Sequence, residues 1–193
     1  MSSIREVSRL FEFRTPVPGQ FYPTVPRYLR LCLFRDVHNA HELADAVAEG
    51  QFHAALIRPE LVFDSFHVRY AASKAMDLAD SHLMTTWSVT SELVYLLYPH
   101  YSVDDALRTF GISGASRNIL VAIVDDEGGH GMEEMGALIN GRAVPLEELD
   151  QLVALDELQE VYALTDDELD LHDYFLSIVI LEKLRAKFNA LNF

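Results

Sequence analysis

Leu29, Leu31 and Leu33 alternate with Arg30, Cys32 and Phe34, and this period of two predicts a first strand over Tyr28–Val37. A short apolar run over Phe52–Arg58, stopped by Pro59, predicts a second strand. Ile119–Val124 is a continuous apolar run of the kind a buried central strand carries. Between and after these runs the period changes to that of a helix. Asn39 and Glu42 have the spacing of a capping box and predict a short helix ending near Glu49. Ser65 opens a helix to about Leu83, with Val68, Ala71, Ala72, Ala75, Met76 and Ala79 on its apolar face. Thr90 or Ser91 opens a further helix, ending at Tyr98 before Pro99. Ser102 and Asp105 start another, which Gly111 closes as a left-handed C-cap.

The C-terminal third is read in the same way. Asp125–Gly131 is expected to be a mobile loop. Met132–Asn140 and Leu146–Val153 are expected as short acidic helices or turns, and Leu155, Leu158, Val161 and Tyr162 as one more helix. Thr165 and Glu168 form a good capping box, expected to open the longest helix, to about Asn189. That helix carries two apolar stripes. Tyr174, Ile178, Leu181 and Phe188 lie on one, and Leu176, Ile180, Leu184 and Leu191 on the other. An ordinary surface helix has one stripe. Two stripes mean either burial on all sides or one face on the core and one on a partner.

At the other end, Ser8–Phe13 fits a short edge strand, and the prolines at 16, 18, 23 and 26 predict a loop or extended lead-in over residues 14–27. The resulting fold class is α/β (mixed α+β): a small mixed sheet with several helices packed on it and a long C-terminal helix. Residues 1–27 read as an N-terminal extension, partly extended or flexible, and 28–193 as a single domain.

Composition narrows the function. With 193 residues, half of them apolar, the chain can bury a core without staples. One cysteine excludes an intrachain disulfide and a cysteine-built zinc site, and points to a reducing, intracellular compartment. Met1–Phe13 mixes Arg5, Glu6, Arg9 and Glu12 with apolar residues and reads as neither a signal nor a transit peptide. No apolar run has the length of a membrane span. The net charge of −15 comes from one stretch: residues 125–173 hold 16 acids and one base, Arg142. Such a surface repels phosphate, so nucleic acid would have to use other faces.

No catalytic set stands out. His38 and His41, flanked by Asp36 and Glu42, make a metal site conceivable, hence an alternative reading as a metal-dependent enzyme. Against it, Asn39 is the expected helix cap, which puts His38 outside the helix. Gly111–Gly114 lacks the lysine of a phosphate loop, and Gly128–Gly131 lies among acids. There is no nucleophile elbow, and Cys32 reads as a buried thiol. No cofactor and no metal are expected.

Several stretches, in order, resemble the PRPK-binding (TPRKB-type) protein family. They are Leu33–Ala40, Ala55–Val62, Ala71–Ala75, Ser91–Pro99, Ser102–Ile112, and Val161–Leu164 with the terminal helix. Together they span roughly residues 29–193. The resemblance implies a non-catalytic accessory subunit of the KEOPS/EKC complex, which makes threonylcarbamoyladenosine in tRNA, working in cytoplasm and nucleus without a membrane. It implies binding to the N-lobe of the PRPK-type atypical kinase, and contact with the transferase subunit only indirectly. The expected kinase face is Leu93, Leu97, Tyr174, Ile178 and Leu181. The resemblance also implies a grip on the tRNA 3′ CCA tail. Family members carry bases before the helix at 91–98, whereas this chain has Leu83–Ser88 there without one. A variant that keeps the kinase contact and has lost the tRNA contact is therefore an alternative. Candidate RNA contacts are Arg69, Lys74, Thr86 and Trp87. Trp87 could stack on an unpaired base or sit half-buried in the core.

Overall fold

The computed structural model describes residues 4–16 and 24–191. Its sheet has five strands: β1 (Arg9–Pro16), β2 (Thr24–Arg35), β3 (Ala55–Ile57), β4 (Ile119–Val124) and β5 (Arg142–Val144). The order is β1-β2-β4-β3, and β5 continues the β1 side of β2 beyond Arg9. Every pairing is antiparallel, with Leu31 opposite both Arg9 and Ala122. The predicted strand at 28–37 thus begins earlier, at Thr24. The lead-in expected as a loop over 14–27 is strand at both ends, and residues 17–23 lie outside the described residues. Over the described part, the segment set apart as an extension is paired to the sheet, and Phe11 and Phe13 pack on the core.

The sheet is covered on both faces. Leu29, Leu31, Leu33, Ile57, Leu120 and Ala122 face the larger layer, which contains α3 (Ser65–Asp80), α4 (Val89–Leu97), α5 (Val103–Phe110), α7 (Leu155–Tyr162) and α9 (Asp173–Leu191). Cys32, Phe34, Leu56, Val121 and Ile123 face the smaller layer, built from α2 (Ala40–Ala48) and α6 (His130–Leu138). Burial on both sides explains why β4 reads as an unbroken apolar run. Short helices α1 (Ile4–Val7) and α8 (Asp166–Leu169) complete the chain. Among the described residues, no helix is long and apolar enough to cross a membrane.

Several expected local signals act differently in three dimensions. The Thr165–Glu168 capping box is real in both halves, but it opens only the one-turn α8. The long helix starts afresh at Asp173. Asn39 makes no cap. Its side chain donates to the Leu138 carbonyl and accepts from the Asn140 amide, tying α2 to the end of α6. The caps of α3 and α4 lie one residue or more earlier than expected, at Asp64 and Ser88. Gly111 has φ of −69°, so it is not a left-handed cap. It is small because an added Cβ would lie 2.3 Å from the Leu107 carbonyl oxygen.

The acidic loop expected to be mobile is anchored. The buried Arg30 guanidinium donates to the carbonyls of Asp126 and Glu127 and to the Ser8 hydroxyl. The Asp126 carboxylate accepts the amides of Gly131 and Met132 at the start of α6. A buried arginine with a partner at each of its three nitrogens fixes the loop instead of straining it.

Candidate functional site: the terminal helix and its groove

The structure decides which stripe of α9 meets the core. Leu176, Ile180 and Leu184 are buried on α3 and α4, while Tyr174 is 67% and Ile178 38% exposed. Leu181 is partly buried beside them. Phe175, also exposed, sets its ring edge-on to Tyr174 at 5.5 Å. The outward stripe borders a groove of about 890 Å³ between α9 and the start of α3. Phe63, Phe66, Val153 and Leu155 supply its apolar walls.

Among the described residues lining this groove, Arg69 is the one cation. Its guanidinium lies 4.5 Å from the Phe11 ring centroid and 5.6 Å from that of Phe66. Its buried Nε has no hydrogen-bond partner among the described residues. Asp64, Asp150 and Asp173 complete the rim.

Two buried polar contacts hold α9 in place, and the sequence announced neither. His67, on α3, reaches across to Ser177, its Nε2 lying 2.9 Å from the carbonyl oxygen and 3.2 Å from Oγ. The Ser177 hydroxyl in turn faces Asp64 at 3.5 Å. This grouping is not a nucleophile and base. The ring N–H is directed at the carbonyl, so Nε2 has no lone pair for the hydroxyl proton, and the acid touches the serine rather than the far ring nitrogen. Burial holds His67 below the ordinary histidine range, opposed by the Ser177 carbonyl and Asp64.

Lys187, at the other end of α9, falls on the inward stripe one turn after Leu184 and is almost fully buried. Its ammonium donates to the carbonyls of Tyr95 and Tyr98 at the end of α4 and lies 3.4 Å from the Tyr95 ring centroid. Burial brings its pKa down to about 7, opposed by the charge of Glu92. Glu92 is itself fully buried. One of its oxygens accepts from the amide and hydroxyl of Thr86, and the other has no partner among the described residues. Helical spacing from Leu184 was the only available sign of Lys187, and nothing in its residue type would have led there.

The other expected contacts are spread apart. Leu93 and Leu97 are 0% and 1% exposed, on the inner side of α4, so the expectation that they face a partner is corrected: they are core. Thr86 is buried, its hydroxyl committed to Glu92. Trp87 is 74% exposed, which removes the half-buried core reading. Lys74 bonds Asp77 at 2.9 Å and lies 4.9 Å from the Phe188 ring centroid, away from the groove that Arg69 lines. His41 pairs with Asp45, one turn on. Among the described residues no group of three or more histidine, cysteine or acidic side chains could hold a metal ion. Cys32 is buried and its thiol pushed up to about 12, far from thiolate formation.

Comparison with known proteins agrees with the resemblance read from the sequence. The EKC/KEOPS complex subunit TPRKB of Danio rerio is 28% identical over 137 residues, 70% of this chain and 78% of that protein. The EKC/KEOPS complex subunit cgi121 of Aspergillus fumigatus is 27% identical over 152 residues, 74% of this chain and 80% of that protein. A Coccidioides immitis subunit of the same name is 31% identical over 98 residues, half of this chain and 47% of that protein. The family model described as kinase binding protein CGI-121 matches residues 34–187, taking in both sheet layers and the inward stripe of α9. By that match, the chain belongs to the CGI-121 family.

Proposed function

We propose that this chain is a non-catalytic subunit of a KEOPS/EKC assembly, and that it binds the N-lobe of the PRPK-type atypical kinase through the outward stripe of α9 and the adjoining groove. One observation carries the reading. A terminal helix that already buries Leu176, Ile180 and Leu184 holds a second row, Tyr174, Ile178 and Leu181, out of the core. Exposed aromatic and aliphatic anchors beside a groove are the usual centre of a protein interface. Contact with the transferase subunit would then be indirect, through the kinase, and the assembly would act in cytoplasm and nucleus. The test is titration of the purified kinase with wild-type chain and Ile178→Glu. Expected is loss of affinity by more than about thirtyfold with an unchanged melting curve. A folded Ile178→Glu that still binds would remove the proposal.

A second reading, that the chain also holds the 3′ CCA end of tRNA, is favoured by Trp87. A large ring left exposed at the start of α4 is suited to stacking on an unpaired base. Arg69 and Lys74 would have to supply phosphate contacts, with Thr86 holding the loop. Trp87→Ala should weaken binding of a CCA-ended tRNA severalfold and leave kinase affinity alone.

A further inference from the structure

Charge pairing across the molecule leaves one unexplained cluster. Among the described residues, Arg69 and Arg117 are the arginines without a carboxylate partner. Arg69 belongs to the groove described above. Arg117 lies elsewhere, in a shallow depression of about 440 Å³ that it lines with Arg58 and Arg108. The three arginines come from separate places: Arg58 just after β3, Arg108 in the last turn of α5, and Arg117 in the turn before β4. Their convergence is a product of the fold, in a chain whose net charge is −15.

The remaining lining suits an oxyanion. Ser113 Oγ accepts from the Ala115 amide, and Ser116 Oγ accepts from the Ser113 amide. Both hydroxyls therefore keep their protons to donate. Glu60, the one acid among the described residues of the lining, is engaged by the Asn118 side-chain amide at 3.0 Å. Arg58 pairs with Glu157 at 2.7 Å and Arg108 with Asp105 at 3.2 Å. The Arg108 pair is single and solvent-exposed, weak enough to exchange for a better anion, whereas Arg58 is part-buried and also donates to the Thr109 carbonyl at 3.4 Å. Among the described residues, no aromatic ring lines the depression.

We propose that Arg58, Arg108 and Arg117, with Ser113 and Ser116, form a phosphate-binding site, separate from the α9 groove and independent of the kinase contact. Planar guanidinium forks beside free hydroxyl donors recognise phosphate oxygens without reading the group attached to them. The phosphate could be that of an RNA backbone or a free polyphosphate.

The full chain is titrated at low salt with a fluorescent uridylate dodecamer by anisotropy, and with inorganic pyrophosphate by amide chemical shifts. If the source is RNA, Arg117→Ala should weaken dodecamer binding roughly fivefold, Arg117→Glu more, and each lost arginine should lower the log–log salt slope by about 0.7. If the source is free polyphosphate, pyrophosphate should move the amides of Ser113, Ser116 and Arg117 in wild type but not in Arg117→Glu, with no dodecamer binding. Arg185→Glu, at an exposed arginine on α9, should leave either result unchanged. The proposal is overturned if neither probe binds, if binding ignores Arg117→Glu and Arg58→Ala, or if Arg185→Glu weakens it equally.

Discussion

The two faces of α9 have nearly the same composition and opposite surroundings. Inward, Leu176, Ile180 and Leu184 meet α3 and α4, and Lys187 closes the row on the carbonyl end of α4. Outward, Tyr174, Ile178 and Leu181 border a groove with solvent above it. Apolar character alone therefore does not distinguish core from interface. The distinction lies in what the neighbouring elements cover, and the anchoring polar contacts follow the same division. His67 on Ser177 holds the half of the helix that borders the groove, and Lys187 holds the half that is packed.

The largest expected effect is on the inward face. Leu184→Ala should lower unfolding free energy by about 2–5 kcal/mol in chemical denaturation, because the packed layer cannot close over the space left. A loss below about 1 kcal/mol would mean that the two faces are not as different as their burial implies.

Next comes the pH dependence of Lys187. Its pKa is near 7 in the fold and higher when the chain is unfolded, so between these values the unfolded chain binds the extra proton. Stability should therefore rise with pH from about 7 to 9, by up to about 1.4 kcal/mol per unit from this group. Lys187→Met should flatten that rise. Tyr162, whose burial raises its pKa, acts in the opposite sense, but only above about pH 10.

His67 should give a smaller effect in a different window. Its folded value is depressed, so the stability it contributes is present above about 6.5 and is lost as pH falls below it. Hydrogen exchange of the Tyr174–Ile178 amides should accelerate there before that of the C-terminal half of α9. The smallest expected change is in the stability of Ile178→Glu, within about 0.5 kcal/mol of wild type by thermal melt, since the substituted side chain is partly solvated. A large drop would place Ile178 in the core and break the comparison.

The family was legible before any fold, because an ordered series of short stretches survives where single motifs do not. Element types were legible too. β4 follows from its apolar run, and the caps at Ser102 and Thr165 form as their spacing predicts. Local chemistry determines such features, since a cap or a strand period involves residues within a few positions of one another. The candidate contact face was only partly legible. Tyr174, Ile178 and Leu181 are on the open side of α9, whereas Leu93 and Leu97, chosen with them, are core. Helix α4 has an apolar face that reads the same whether a sheet or a partner covers it.

The sequence by itself determined the helical and strand periods, the acidic stretch at 125–173 and the family. Tertiary structure alone decided which stripe of α9 is covered, that Glu92 of α4 is buried and Lys187 is buried against the end of that helix, that Trp87 is exposed, and that three distant arginines meet. The physical reason is range. Period and capping are set by neighbours along the chain, while burial and charge convergence depend on which surfaces the sheet brings together.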